Sequence, residues 1–127
     1  MSKSNYRKTI VTEEVTKRIN PRNTRIVNLY LKKLQEKNIS HSIVKRKSDF
    51  VIFLCWNVKY NDNLLIPTFR KTQVNNFLSW GVQECGWSSS RVNAMKSLLN
   101  TLFDFVVDFL HDEYPTFHNP IERKSKS

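Results

Sequence analysis

Four stretches of the chain repeat apolar residues at every third or fourth position, and each lies between residues suited to starting or stopping a helix. In the first, Ile26, Leu29, Tyr30 and Leu34 mark one face, with Val27 and Leu31 beside them. Asn20 can cap this helix, Pro21 fits its first position, where a missing N–H costs nothing, and Asn38 can end it. In the second, Ser40 is placed as a cap, and Ile43, Phe50, Phe53, Leu54 and either Trp56 or Asn57 keep the helical period as far as Tyr60. Asn, Asp and Pro then break the pattern, so Asn61 to Lys71 reads as a loop whose Leu64, Leu65 and Ile66 can tuck onto a core.

The third helix is capped by Thr72, shows Val74, Phe77, Leu78 and Val82 on one face, and stops at Gly86. The fourth begins among Ser88 to Ser90 and runs through Val92, Met95, Leu98, Leu99, Leu102, Phe103, Phe105, Val106, Phe109 and Leu110. In its second half apolar residues nearly encircle the axis, which predicts a central helix with the other three packed around it. Ahead of these four, Thr12 followed by Glu13, Glu14 and Val15 predicts a short capped helix ending near Asn20. Behind them, Pro115 is a stop and Asn119-Pro120 a second turn.

Composition agrees with an all-α domain. The 127 residues suit one domain with a real core, and two glycines with four prolines are too few for a turn-rich β protein. Charge adds direction to this picture. Residues 1–50 hold 13 Lys or Arg against 4 Asp or Glu, a balance of +9 out of the whole chain's +10. Such an excess attracts a polyanion, and nucleic acid fits better than an anionic membrane because no helix pairs an apolar face with a basic stripe. The plainer alternative, on charge alone, is a soluble surface with a basic arm. Cys55 and Cys85 sit in apolar or helical surroundings, as a reduced pair in a cytoplasmic protein would. The N-terminus lacks the apolar run of a signal peptide, and no segment has the length of a membrane span.

Catalytic chemistry is hard to find. His41, His111 and His118 are far apart, none at metal-ligand spacing with cysteines or a carboxylate cluster, so no metal is expected. Glycines only at 81 and 86 exclude a glycine-rich phosphate loop, and the acidic pairs 13-14 and 112-113 point apart on a helix. The expectation is a binding module with no cofactor, no small-molecule substrate and no catalytic residue.

Two places can carry binding. At the start of the second long helix, His41, Ser42, Lys45, Arg46 and Lys47 put hydroxyls and cations near helix N–H groups, a setting that favours phosphate, although a KRK run is also an ordinary solvated face. At the start of the fourth, Ser88, Ser89 and Ser90 offer donors, Arg91 can fork onto a guanine edge or a phosphate, and Asn93, Lys96 and Asn100 continue the polar side. A simple cap there needs one serine and not three.

Together these stretches resemble a known family. "SHSIVKRKSDFVIFLCW" is similar to the S-x-x-T-x-x-x-Y-x-x-D-L-x-x-F pattern in the second helix of the SAM-like core-binding domain of tyrosine recombinases and phage integrases, with Asp49, Phe50 and Phe53 on its D, L and F. "SSSRVNAMKSLLNTLFDFV" resembles that family's fourth helix, which ends before an asparagine-proline linker, and Ser90, Arg91, Ser97, Leu99 and Asn119-Pro120 match it. Ser42 stands where the family prefers threonine, Arg46 where it has tyrosine, and Asn100 where it often has arginine.

The resemblance implies a four- to five-helix SAM-like orthogonal bundle that grips double-stranded DNA at a recombination core site through its second and fourth helices, beside other recombinase protomers. It divides the chain into a basic arm with a short helix (1–19), a helical core-binding domain (20–114) and a linker (115–127) toward an absent catalytic domain. That domain would supply an arginine, H-x-x-R and a tyrosine nucleophile; this chain has no H-x-x-R, and Tyr114 precedes the linker proline. The same residues are compatible with a non-catalytic, recombinase-like phage repressor or a helical protein-interaction module. The expected setting is the bacterial cytoplasm, on DNA and away from membranes.

Overall fold

A computed structural model describes residues 10–37 and 40–121, with side chains from residue 43 onward in the second stretch. Those residues are all-α: α1 (Glu13–Lys17), α2 (Pro21–Gln35), α3 (Ser40–Tyr60), a 3₁₀ turn (Ile66–Thr68), α4 (Lys71–Cys85) and α5 (Ser89–Phe109). Two starts follow directly from side-chain chemistry. Thr12 Oγ1 accepts the Val15 N–H at 3.2 Å, and Asn20 Oδ1 accepts the Arg22 N–H at 3.0 Å just ahead of Pro21. Two other expected caps are corrected. Ser40 is already helical, and α4 begins at Lys71, where the Arg70 N–H donates to Gln73 Oε1 at 2.7 Å, so Thr72 lies inside the helix. α2 stops at Gln35, and Asn38 lies outside the described residues.

α3 packs against α1 and α2, while α5 packs against α2, α4 and the 3₁₀ turn. The centre is therefore shared. Phe50 and every residue from Ile52 to Val58 are buried on α3, and Met95, Leu98, Leu99, Leu102, Phe103, Phe105 and Val106 are buried on α5. The expectation of one central helix undercounted α3, whose aromatic second half is enclosed as fully as α5. Aromatic rings join the elements: Phe53 meets Phe77 at 5.1 Å and Phe69 at 5.3 Å, Phe69 meets Phe103 at 6.2 Å, and Phe103 meets Phe117 at 5.8 Å. Such pairs add about 0.5–1.5 kcal/mol each beyond the area they bury.

The loop between α3 and α4 is held by buried asparagines. The Asn23 and Asn57 amides both donate to the Leu64 carbonyl at 2.8 Å, and Asn23 Oδ1 accepts the Ile66 N–H at 2.8 Å. Asn63, in the left-handed region with φ 52°, donates to the Arg18 carbonyl at 2.6 Å and accepts the Asn20 N–H at 3.1 Å. The backbone polar groups that the loop would otherwise bury unpaired are thus paid in hydrogen bonds, which lets Ile66 and Phe69 enter the core.

Two residues expected on apolar faces are exposed. The chain reverses at Gly86 (φ 70°) and Trp87 folds back over Gly81, while Val82, one residue further round the helix, stays 46% accessible. The Trp87 N–H donates to the Gly81 carbonyl at 3.1 Å and closes α4. Phe109 is 57% accessible near the helix end, where it touches only Phe105 at 5.3 Å and the Lys33 ammonium at 4.6 Å from its ring centre among the ring and cation contacts of the described residues. No described helix is long and apolar enough to cross a membrane.

A methyl group at Gly81 would overlap the Trp87 ring. Gly81→Ala should therefore lower unfolding free energy by about 2–3 kcal/mol in urea titrations, whereas Val82→Ala should cost no more than about 0.5 kcal/mol. Equal costs would place Val82, and not Gly81, against the core.

Candidate functional site

The first half of α3 and the first half of α5 form the walls of a groove of about 400 Å³. Lys45, Arg46 and Asp49 line it from α3, and Arg91, Ala94, Ser97, Leu98 and Thr101 from α5. Residues 91, 94, 98 and 101 are three or four apart, so one face of α5 supplies most of that wall.

Two arginines cross between the helices. The Arg91 guanidinium forks onto Asp49, with Nη2 to Oδ1 at 2.7 Å and Nη1 to Oδ2 at 3.3 Å, and its carbon lies 5.6 Å from the Trp87 ring centre. The pair is largely withdrawn from water, with 26% of the Arg91 side chain and 11% of the Asp49 side chain exposed. Ser88 Oγ accepts the Arg91 N–H at 3.1 Å, so one of the three serines is the α5 cap and fixes the turn from which Arg91 projects. From the other wall, Arg46 Nη1 donates to the Tyr30 hydroxyl at 3.1 Å; that hydroxyl donates to Thr101 Oγ1 at 2.9 Å, and Thr101 donates to the Leu98 carbonyl at 2.8 Å.

Of the residues expected to bind, Lys45, Arg46 and Arg91 meet in this groove. Lys47 is exposed but two residues on from Lys45, roughly half a turn round α3. His41 and Ser42 belong to α3, and their side chains lie outside the described residues. Ser89 and Ser90 are exposed in the first turn of α5. Asn93, Lys96 and Asn100 are two, five and nine residues beyond Arg91, about half a turn from it around α5, and none of the three lines the groove, although Asn93 and Asn100 neighbour Ser97 at its edge. Asn100 is engaged there: the Asn119 amide donates to Asn100 Oδ1 at 2.8 Å and Asp104 Oδ1 at 2.9 Å. With Phe117 buried against Phe103, residues 115–121 of the expected linker lie along α5.

Sequence reasoning assigned no site role to Asp49, Tyr30 or Thr101. Asp49 is the first acid after the KRK run, a signal that something near those cations is balanced, but nothing local shows that its partner stands 42 residues away. Tyr30 was legible only as a core position.

Among the described residues, no group of three or more His, Cys, Asp or Glu could hold a metal. Both cysteines are free; burial pushes the Cys55 thiol up to about 11 and the Cys85 thiol up to about 12. Compared with known proteins, the chain matches no family model, no curated protein and no solved structure.

Removing either partner of the ion pair leaves a charge in a poorly hydrated place. Asp49→Ala and Arg91→Ala should each cost about 3 kcal/mol of stability, while the double variant should cost clearly less than their sum, measured as a double-mutant cycle in urea. Additive costs would show that the two side chains act separately. The thiols should resist iodoacetamide near pH 8 until the chain unfolds. Because the unfolded thiols lose their protons near 9.0 and the folded ones only toward 11 and 12, their contribution is full below pH 9 and shrinks as pH rises through that window. Rapid native-state alkylation would contradict this burial.

Proposed function

We propose that the chain binds double-stranded DNA, in the manner of the core-binding domain of a phage-type site-specific recombinase, and carries no catalytic group of its own. One observation supports this reading above the rest: the basic first half of α3, with Lys45 and Arg46, and the α5 face that runs from Arg91 to Thr101, more than forty residues apart in sequence, face each other across one groove, with exposed Ser89 and Ser90 one residue or two ahead of Arg91. These are the two stretches on which the family resemblance rests. The charge balance of +9 in residues 1–50 adds the long-range attraction that a polyanion needs.

The division of labour differs from the one drawn from sequence. With its fork on Asp49, Arg91 serves to hold α5 against α3, and base reading falls to exposed polar residues on α5, Asn93 and Lys96, supported by Ser89 and Ser90. Lys45 and Lys47 supply phosphate contacts.

Lys45→Ala should weaken binding to every duplex and flatten the dependence of log K on log salt by about 0.9, measured by fluorescence anisotropy. Asn93→Ala should cost about 1–3 kcal/mol on a duplex selected from a random library, with little change on unselected duplex. If the whole chain shifts no duplex at low salt, the proposal fails and an acidic protein partner becomes the better one.

A further inference from the structure

We propose that the α3–α5 groove is a pocket for a single phosphate ester, with Arg46 as its principal ligand and Tyr30 as the residue that positions Arg46. For a duplex phosphate the idea rests on the DNA-binding proposal above; for a free phosphorylated small molecule it does not.

The hydroxyl relay is directional. Thr101 gives its proton to a backbone carbonyl and Tyr30 gives its proton to Thr101, so the Tyr30 oxygen can only accept from Arg46. Three helices thereby hold one guanidinium in place through one of its five N–H groups, leaving the others to receive a ligand. Tyr30 is itself buried, edge-on to Phe50 at 5.7 Å and Phe105 at 5.6 Å, so the relay stands on core packing.

Arg46 is half-buried, and among the described residues no carboxylate pairs with it. Asp49 is the acid lining the groove, and Arg91 already occupies it at 2.7 and 3.3 Å. A cation removed from water without a counter-charge is unfavourable, which makes the position receptive to an anion. Lys45 stands beside it and the Ser97 hydroxyl lies on the opposite wall, while Ala94 and Leu98 offer apolar surface to an ester carbon. At about 400 Å³ the groove is too small for a duplex and suits one projecting phosphate group. Fixing the guanidinium beforehand removes the ordering cost that a loose surface arginine meets on binding.

The test follows the arginine side-chain Nε–H signals of the whole chain by NMR as inorganic phosphate, and separately a short duplex, is added. Phosphate should move the Arg46 signal, and Arg46→Met should abolish the response while lowering duplex affinity about tenfold and the salt slope by about 0.9. Arg46→Lys should keep the fold and part of the affinity. Tyr30→Phe should weaken phosphate binding severalfold while preserving the ring packing. One uncharged methylphosphonate in the duplex should reproduce the Arg46→Met loss in the native chain and add nothing in that variant.

If Arg46→Met, shown to be folded, binds duplex as the native chain does while Lys45→Ala still loses affinity, the pocket is overturned and DNA binding stands. If no duplex binds but inorganic phosphate still moves Arg46, the pocket stands with a free phosphorylated ligand and DNA binding falls. Movement with an acidic peptide but not with phosphate overturns the phosphate assignment.

Discussion

A carboxylate placed where water scarcely reaches must find a partner of opposite charge, and at Asp49 that need ties the two halves of the chain together. Its partner, Arg91, comes from the first turn of α5, and the two bonds of the fork specify both the separation and the rotation of the helices. The consequences reach outward from there. Arg91 carries Trp87 against its own plane, Trp87 lies over Gly81, and that contact sets how α4 ends and α5 begins. The pair also neutralises the acid in the groove, so the local field is decided by Lys45 and Arg46.

The ion pair is specific more than it is strong. Aromatic and aliphatic burial on α3 and α5 supplies the driving force for folding, but burial is non-directional and tolerates several arrangements of smooth helices. Directional bonds choose among them. The Asn23 and Asn57 amides do the same at the other end of α3, where they replace water on the backbone of the 61–66 loop and hold it against α2. Asn119 repeats the pattern a third time by holding the C-terminal segment along α5. At each place a polar side chain with few alternatives settles a question that hydrophobic contact leaves open.

Much of this was legible in the pattern of residues. Apolar spacing located the four long helices, since a helix must hide one stripe whatever lies opposite it. Thr12, Asn20 and the run Ser88 to Ser90 marked starts because a cap bonds within its own turn, and the structure selects Ser88 from that run. The failures have one character. Val82 and Phe109 fit the helical period yet face water, because periodicity states which side is apolar and not whether a neighbour covers it. Asn23 carried no reading from sequence and Asn57 stood only as an alternative to Trp56 on the helical period, since the carbonyl they share belongs to a loop whose path local pattern does not determine.

The candidate site divides in the same way. Residue order alone was enough to establish an all-α chain and the concentration of positive charge before residue 50, and to single out two helix starts for the proposal of anion binding. These are properties of single segments, governed by interactions within a few residues. Which cations remain available depended on contacts across 42 residues for Arg91 and across 16 and 71 residues for the relay through Tyr30. Only the packed bundle decides those, because a side chain's charge is written in its formula whereas its partner is whatever the fold brings within hydrogen-bonding distance.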